Sequence, residues 1–141
     1  SMDQIGEQGN GLSVSRQLYK GDEALNESAP LKVGDRITVR LTVKADRDMD
    51  FVQIKDDRAA CMEPLQAVSG FRWGNGLGYY QATKDASTQF FIDQMRKGTY
   101  VIEYQVYVNR TGEYQTGIAT VQSAYAPEFG GHTGGYRVMV E

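Results

Sequence analysis

A strict two-residue alternation, in residues 36–44 and again in 98–108, constrains this chain more than anything else in it. Ile37, Val39, Leu41 and Val43 fall on one side of the first run, against Arg36, Thr38, Arg40, Thr42 and Lys44 on the other. Tyr100, Ile102, Tyr104, Val106 and Val108 repeat the pattern in the second, opposed mostly by polar or amphipathic residues such as Glu103, Gln105 and Tyr107. Side chains of an extended strand alternate between two faces, whereas a helix needs apolar spacings of three and four. Both runs are therefore strands with one dry face each, and a second layer has to cover them.

The rest of the chain supplies that layer. Leu12, Val14 and Leu18 alternate with Ser13, Ser15 and Gln17, with Arg16 as the odd member of a first strand. An acidic loop spans 21–30, Gly34 and Asp35 make a turn, and residues 49–54 read as the strand after a polar turn at 45–48. Residues 56–70 have no clear period and are expected to form a long loop with at most a helical turn. A glycine- and aromatic-rich stretch at 71–78 precedes strands at 79–83 and 88–95. Residues 97–129 read as a long hairpin: the alternating strand, a turn at Asn109, Arg110, Thr111 and Gly112, and a second strand from Glu113 to Tyr125. Pro127, which has no N–H for a ladder, ends that strand in an aromatic loop containing Tyr125 and Phe129. Residues 130–135 form a glycine-rich loop, after which Tyr136, Val138 and Val140 alternate to close the chain. About eight or nine short strands with regular turns predict an all-β, immunoglobulin-like antiparallel β-sandwich. A single domain over residues 12–141 is expected, with 1–11 as a linker whose Ser1 and Met2 resemble the remnant of a cleaved tag on a piece of a longer polypeptide.

Bulk properties exclude several functions. A chain of 141 residues, 40% hydrophobic and 23% charged, can bury a core without disulfide or metal staples. Its net charge of -3, with Lys and Arg scattered, argues against nucleic acid as a partner. No run is long enough for membrane insertion. Cys61 is the single cysteine, so no intrachain disulfide forms.

Candidate chemistry is sparse. His132 is the only histidine and lies among loop glycines, and pairing it with Cys61 as base and nucleophile has nothing to place the two together. Asp46, Asp48 and Asp50 alternate like some calcium ligands but lack the glycine and closing glutamate of such loops, so no metal is expected. Asp56, Asp57 and Glu63 could furnish paired carboxylates for glycoside cleavage, with Asp57 and Glu63 as the pair to test. The aromatics carry more weight. Phe71, Trp73 and Tyr79, with Tyr80 beside them, could stack on a sugar, making the chain a carbohydrate-binding or adhesive surface module. The competing reading packs Trp73 in the core, the more usual place for such a side chain.

Several stretches, taken in order, resemble one family. Residues 31–41 (LKVGDRITVRL) are similar to an L-x-V-G-D-x-[VI]-x-V-R-L strand, and residues 56–64 to a D-x-x-P-A-G-x-E-P loop with Ala59 and Cys61 in place of its Pro and Gly. Residues 90–93, 98–104, 112–114 and 122–129 (QSAYAPEF) match its following segments. The chain thus resembles the C-terminal, tenth macroglobulin-like domain of bacterial alpha-2-macroglobulins, over roughly residues 31–129. The resemblance implies a non-catalytic domain without cofactors, in a protease-trapping protein of the periplasm or cell envelope of a Gram-negative bacterium, compatible with a lipid anchor. It implies packing on a thioester-type helical domain of the same polypeptide, with target proteases met by the full-length protein. In the family a Met-Tyr pair shields the thioester from water. Here that pair falls on Ala124 and Tyr125, with Pro127 stiffening the loop and Phe129 following. Tyr125 matches, and Ala124 departs from the family's bulky residue, as in members without a thioester.

Overall fold

The computed structural model describes residues 4–5 and 11–141. In chain order its strands are β1 (Gln4–Ile5), β2 (Leu12–Lys20), β3 (Glu23–Ala24), β4 (Arg36–Ala45), β5 (Met49–Asp57), β6 (Met62–Pro64) and β7 (Gly70–Gly74). They continue as β8 (Leu77–Thr83), β9 (Ser87–Met95), β10 (Gly98–Val108), β11 (Gly112–Gln115), β12 (Ala119–Ser123), β13 (Gly130–His132) and β14 (Arg137–Val140). One sheet runs β1-β2-β4-β10-β6 with β3 on β2, a second runs β13-β12-β5-β9-β8-β7, and β11 pairs with β14. Every strand pair is antiparallel, and one isolated parallel bridge joins Leu31 to Val140. The described residues contain no helix. This is the immunoglobulin-like all-β architecture that the alternation predicts.

The dry faces meet in one core. Ile37, Leu41, Val43, Ile102 and Val106 from the first sheet are buried with Val52, Ile54, Phe90 and Ile92 from the second. Fully burying each such side chain is worth about 1.5–3 kcal/mol against leaving it in water. Among the described residues Arg16 and Asp56 are the buried charges beside this apolar cluster, each 2% exposed. Their side chains lie 2.5 Å apart, the Tyr104 hydroxyl donates to the other Asp56 oxygen at 2.5 Å, and Arg16 Nη2 donates to the carbonyls of Gly117 and Gly134 at 2.7 and 3.0 Å. Burial pushes the Asp56 carboxyl above its ordinary value, opposed by the Arg16 charge and the Tyr104 hydroxyl. The Tyr104 phenol is driven well up, by burial first and by the Asp56 charge second.

Five expectations need correction. Residues 97–129 do not form a hairpin. β10 is flanked by β4 along one edge, and β6 takes the other edge at residues 106–108, where a hairpin partner would have to begin. The chain crosses instead to the second sheet, where β12 pairs with β5 and β13, while β11 pairs with β14. The run from Glu113 to Tyr125 is broken around Gly117, where a Cβ would come within 2.3 Å of the Asp57 Cβ. Second, residues 56–70 are not one long loop, since β5 continues through Asp57 and β6 pairs with β10. Third, residues 71–78 are β7, a two-residue turn and the start of β8. Asn75 and Gly76 take φ of 53° and 77°, the positive values that a tight hairpin requires. Fourth, the linker expected at 1–11 contains β1 on the edge of β2, and its other members before Gly11 lie outside the described residues. Fifth, Gly130–His132, expected in a loop, pairs with β12.

Candidate interaction surface

The loop after β12 is held by its own backbone. Ser123 donates to the carbonyl of Phe129 at 3.0 Å, Phe129 to that of Ala126 at 2.8 Å, and Ala124 to that of Phe51 at 2.8 Å. Phe129 folds back, partly buried against the core with the Arg47 guanidinium 4.8 Å from its ring centre. Tyr125 points the other way and is 78% exposed, touching the Phe51 ring edge-on at 4.9 Å. Ala124 and Pro127 are exposed beside it. One loop thus splits its aromatics, anchoring with Phe129 and presenting Tyr125.

Phe51 ties this loop to the face of the second sheet. Its φ is 56°, a conformation that a bulky residue adopts only under constraint from its surroundings. Around it the two-residue alternation breaks. Asp50 and Phe51 both turn outward on β5, and Asp93 and Gln94 do the same on the facing stretch of β9. These four residues, with Phe91, Tyr80, Phe71 and Trp73, line an open concavity of about 960 Å³ across β5, β9, β8 and β7.

The sugar-stacking candidates separate here. Phe71 and Trp73 are 83% and 78% exposed, so Trp73 is not a core residue. They sit on one face of β7, Phe71 edge-on to Tyr80 at 5.0 Å and Trp73 lying over its cross-strand partner Gly78, where a Cβ would meet the indole Cε3 at 3.0 Å. Tyr79 borders the same concavity but turns its ring toward the core, edge-on to Phe90 at 5.8 Å. Sequence reading named Tyr80 beside these rings but missed Phe51 and Phe91, because each sits in an ordinary strand. Phe51 preceding a buried Val52 with no polar residue between was the one available signal of a break.

The other candidates are dispersed. Cys61 is buried in the core, with burial raising its thiol pKa, while His132 is exposed on β13. Asp57 lies on β5, 3.8 Å from Lys55 Nζ, and Glu63 lies on β6 of the other sheet, accepting from Asn109 Nδ2 at 3.3 Å. Asp46 pairs with Arg47 at 2.8 Å and Asp48 accepts the Lys97 backbone N–H at 2.8 Å, leaving only Asp50 of that trio on the concavity. Among the described residues no three His, Cys, Asp or Glu side chains are placed to hold a metal ion.

A family model identifies the chain, and solved structures share its fold. The model of the bacterial alpha-2-macroglobulin MG10 domain matches residues 11–128. Trypsin-activated alpha-2-macroglobulin from Escherichia coli superposes with a TM-score of 0.79 at 15% identity, covering 97% of this chain and 11% of that one. A Salmonella alpha-2-macroglobulin variant gives 0.77 at 20% identity, covering 96% and 9%. By sequence, the "Circularly permutated Ras protein 2" of Dictyostelium discoideum is 28% identical over 138 residues, 93% of this chain and 4% of that protein. The chain therefore spans only a small part of each of these relatives.

Proposed function

The chain belongs to the bacterial alpha-2-macroglobulin MG10 domain family, and on that premise we propose that it is a non-catalytic interaction domain at the C-terminus of an alpha-2-macroglobulin-like protease inhibitor. It packs on the thioester-type helical domain of the same polypeptide through the Tyr125 loop, and the parent meets its target proteases in the periplasm or cell envelope of a Gram-negative bacterium. The observation that carries this reading is a large aromatic side chain, 78% exposed, on a loop whose backbone is tied down on both sides. Exposing a tyrosine ring wastes the apolar area it could bury, and fixing the loop removes the entropy that a partner would otherwise have to quench. Pro127 adds to that stiffness. Ala124 contributes little area, so the loop acts through Tyr125 and fits a sibling domain that lacks a reactive thioester.

The test is to add the parent's thioester-type domain to this domain labelled for NMR. Signals of Tyr125 and its loop should shift on addition and fail to shift in Tyr125→Ala. Spectra unchanged at roughly millimolar concentration, a weak-affinity regime of about -4 kcal/mol, would overturn the reading.

A further inference from the structure

We propose that the concavity across β5, β9, β8 and β7 is a binding site for a neutral oligosaccharide, with Trp73 and Phe71 as stacking surfaces and Asp50, Asp93 and Gln94 as hydroxyl acceptors. The platform is built, not incidental. The Trp73 indole covers Gly78, where a Cβ would crowd it at 3.0 Å, and 78% of the residue remains open to solvent. Phe71 stands two residues away on the same face and is braced edge-on by Tyr80 at 5.0 Å. Two exposed rings on one extended strand sit roughly 6.6–6.8 Å apart along it and present an apolar strip. The C–H faces of sugar rings bury against such a strip at the cost of no hydrogen bond.

The polar floor narrows the ligand. Paired breaks in alternation turn Asp50 and Phe51 outward beside Asp93 and Gln94, and Phe51 does so at a positive φ of 56°. Among the described residues the side chains of Asp50, Asp93 and Gln94 have no hydrogen-bond or ion-pair partner. Arg72 also lines the concavity, its guanidinium donating to the carbonyls of Phe71 and Val68. The two unpaired carboxylates outnumber it, so the site disfavours an anionic ligand such as a phosphate or a uronate and takes a neutral molecule or a cation. An apolar protein surface laid over this floor would strip both carboxylates of water with nothing in return, and acidic residues are depleted in interface cores for that reason. A polyol avoids the penalty because each ring carries several hydroxyl donors around its apolar faces. With a volume of about 960 Å³ the groove can hold more than one ring of such a chain. The site adjoins the Tyr125 loop through Phe51 but shares neither Trp73 nor Phe71 with it.

Trp73 is the only tryptophan, so its emission reads this site alone. The domain should be titrated with hexasaccharides of chitin, cellulose and mannan, with polygalacturonate as the anionic control and a lysine-rich peptide as the cationic one. At least one neutral hexasaccharide should change the emission saturably, and polygalacturonate should not. Calorimetry with that sugar should show binding abolished in Trp73→Ala and weakened at least about 10-fold in Phe71→Ala and in Asp50→Asn/Asp93→Asn. These positions are exposed, and circular dichroism checks that the variants keep the fold. No response to any neutral sugar at about 10 mM, or binding indifferent to the variants, overturns the proposal. So does a lysine-rich peptide that binds more tightly than every sugar, which would assign the face to a basic protein segment.

Discussion

At the scale of single residues, Arg16 carries the most. Its side chain breaks an otherwise apolar face, and its reason lies 40 residues away in Asp56. Arg16→Met should cost about 3–5 kcal/mol, because it leaves Asp56 buried without its cation. Asp56→Asn alone should also destabilise. The double variant should be more stable than the sum of the two losses by about 1–3 kcal/mol, as groups in one network are not additive. Urea denaturation of the four proteins reads this directly. The sequence marks Arg16 as out of pattern but does not point to Asp56, which reads there only as one of the candidate carboxylates beside Asp57. Pairing across two sheets leaves no local trace. Tyr125 was legible as a loop aromatic because Pro127 stops the strand beside it. Its contact with Phe51 was not, since nothing local reveals a positive φ at a phenylalanine.

Among the elements, β5 is the one under tension. Holding a bulky residue at positive φ costs on the order of 1–3 kcal/mol, and glycine would remove that cost. Phe51→Gly should leave the thermal midpoint no lower than in the parent chain, although an aromatic ring is lost. NMR should meanwhile show the Tyr125 ring signals moving toward those of an unstructured tyrosine, because its edge-on neighbour is gone. A clear fall in midpoint would mean that Phe51 is there for packing. Alternation located the long strands of this protein, β4, β9 and β10 nearly to their ends, and missed the short β1, β3, β6, β7 and β13. It could not name partners. A period of two says that one face is dry and is silent on which edge is taken, so β10 and β12 read as a hairpin although they lie in different sheets.

For the whole molecule, the sandwich was legible and the composite surface was not. Tyr125 and the pair Phe71 and Trp73 stood out as separate aromatic sets. They converge because the sheet order β12-β5-β9-β8-β7 places Phe51, Phe91 and Tyr80 between them, an order that chain sequence does not follow. The core makes the molecule sensitive to alkali. Tyr104 and Tyr136 are both buried, and burial raises both phenols above the ordinary value of 10.0. The unfolded chain loses these protons near pH 10 while the fold retains them. Their contribution to stability is therefore complete below about pH 10 and disappears as pH rises through the folded values, at up to about 1.4 kcal/mol per phenol per pH unit. Melting temperature should be level from about pH 7 to 9 and fall above 10. The fall should be shallower in Tyr104→Phe, and an equal slope in that variant would show that the core phenol is not responsible. The Arg16 clasp also bears on how the chain reaches this state. The bond from Arg16 to Gly134 joins positions 118 apart, so it forms only after the first long strand has met a segment near the last. Contacts of such long range are paid for in loop closure before they return anything, which places folding on the slower, millisecond-to-second side of single-domain rates. A nascent chain therefore keeps this arginine in water until nearly all of the domain is available, and the sheets lock together as one late event.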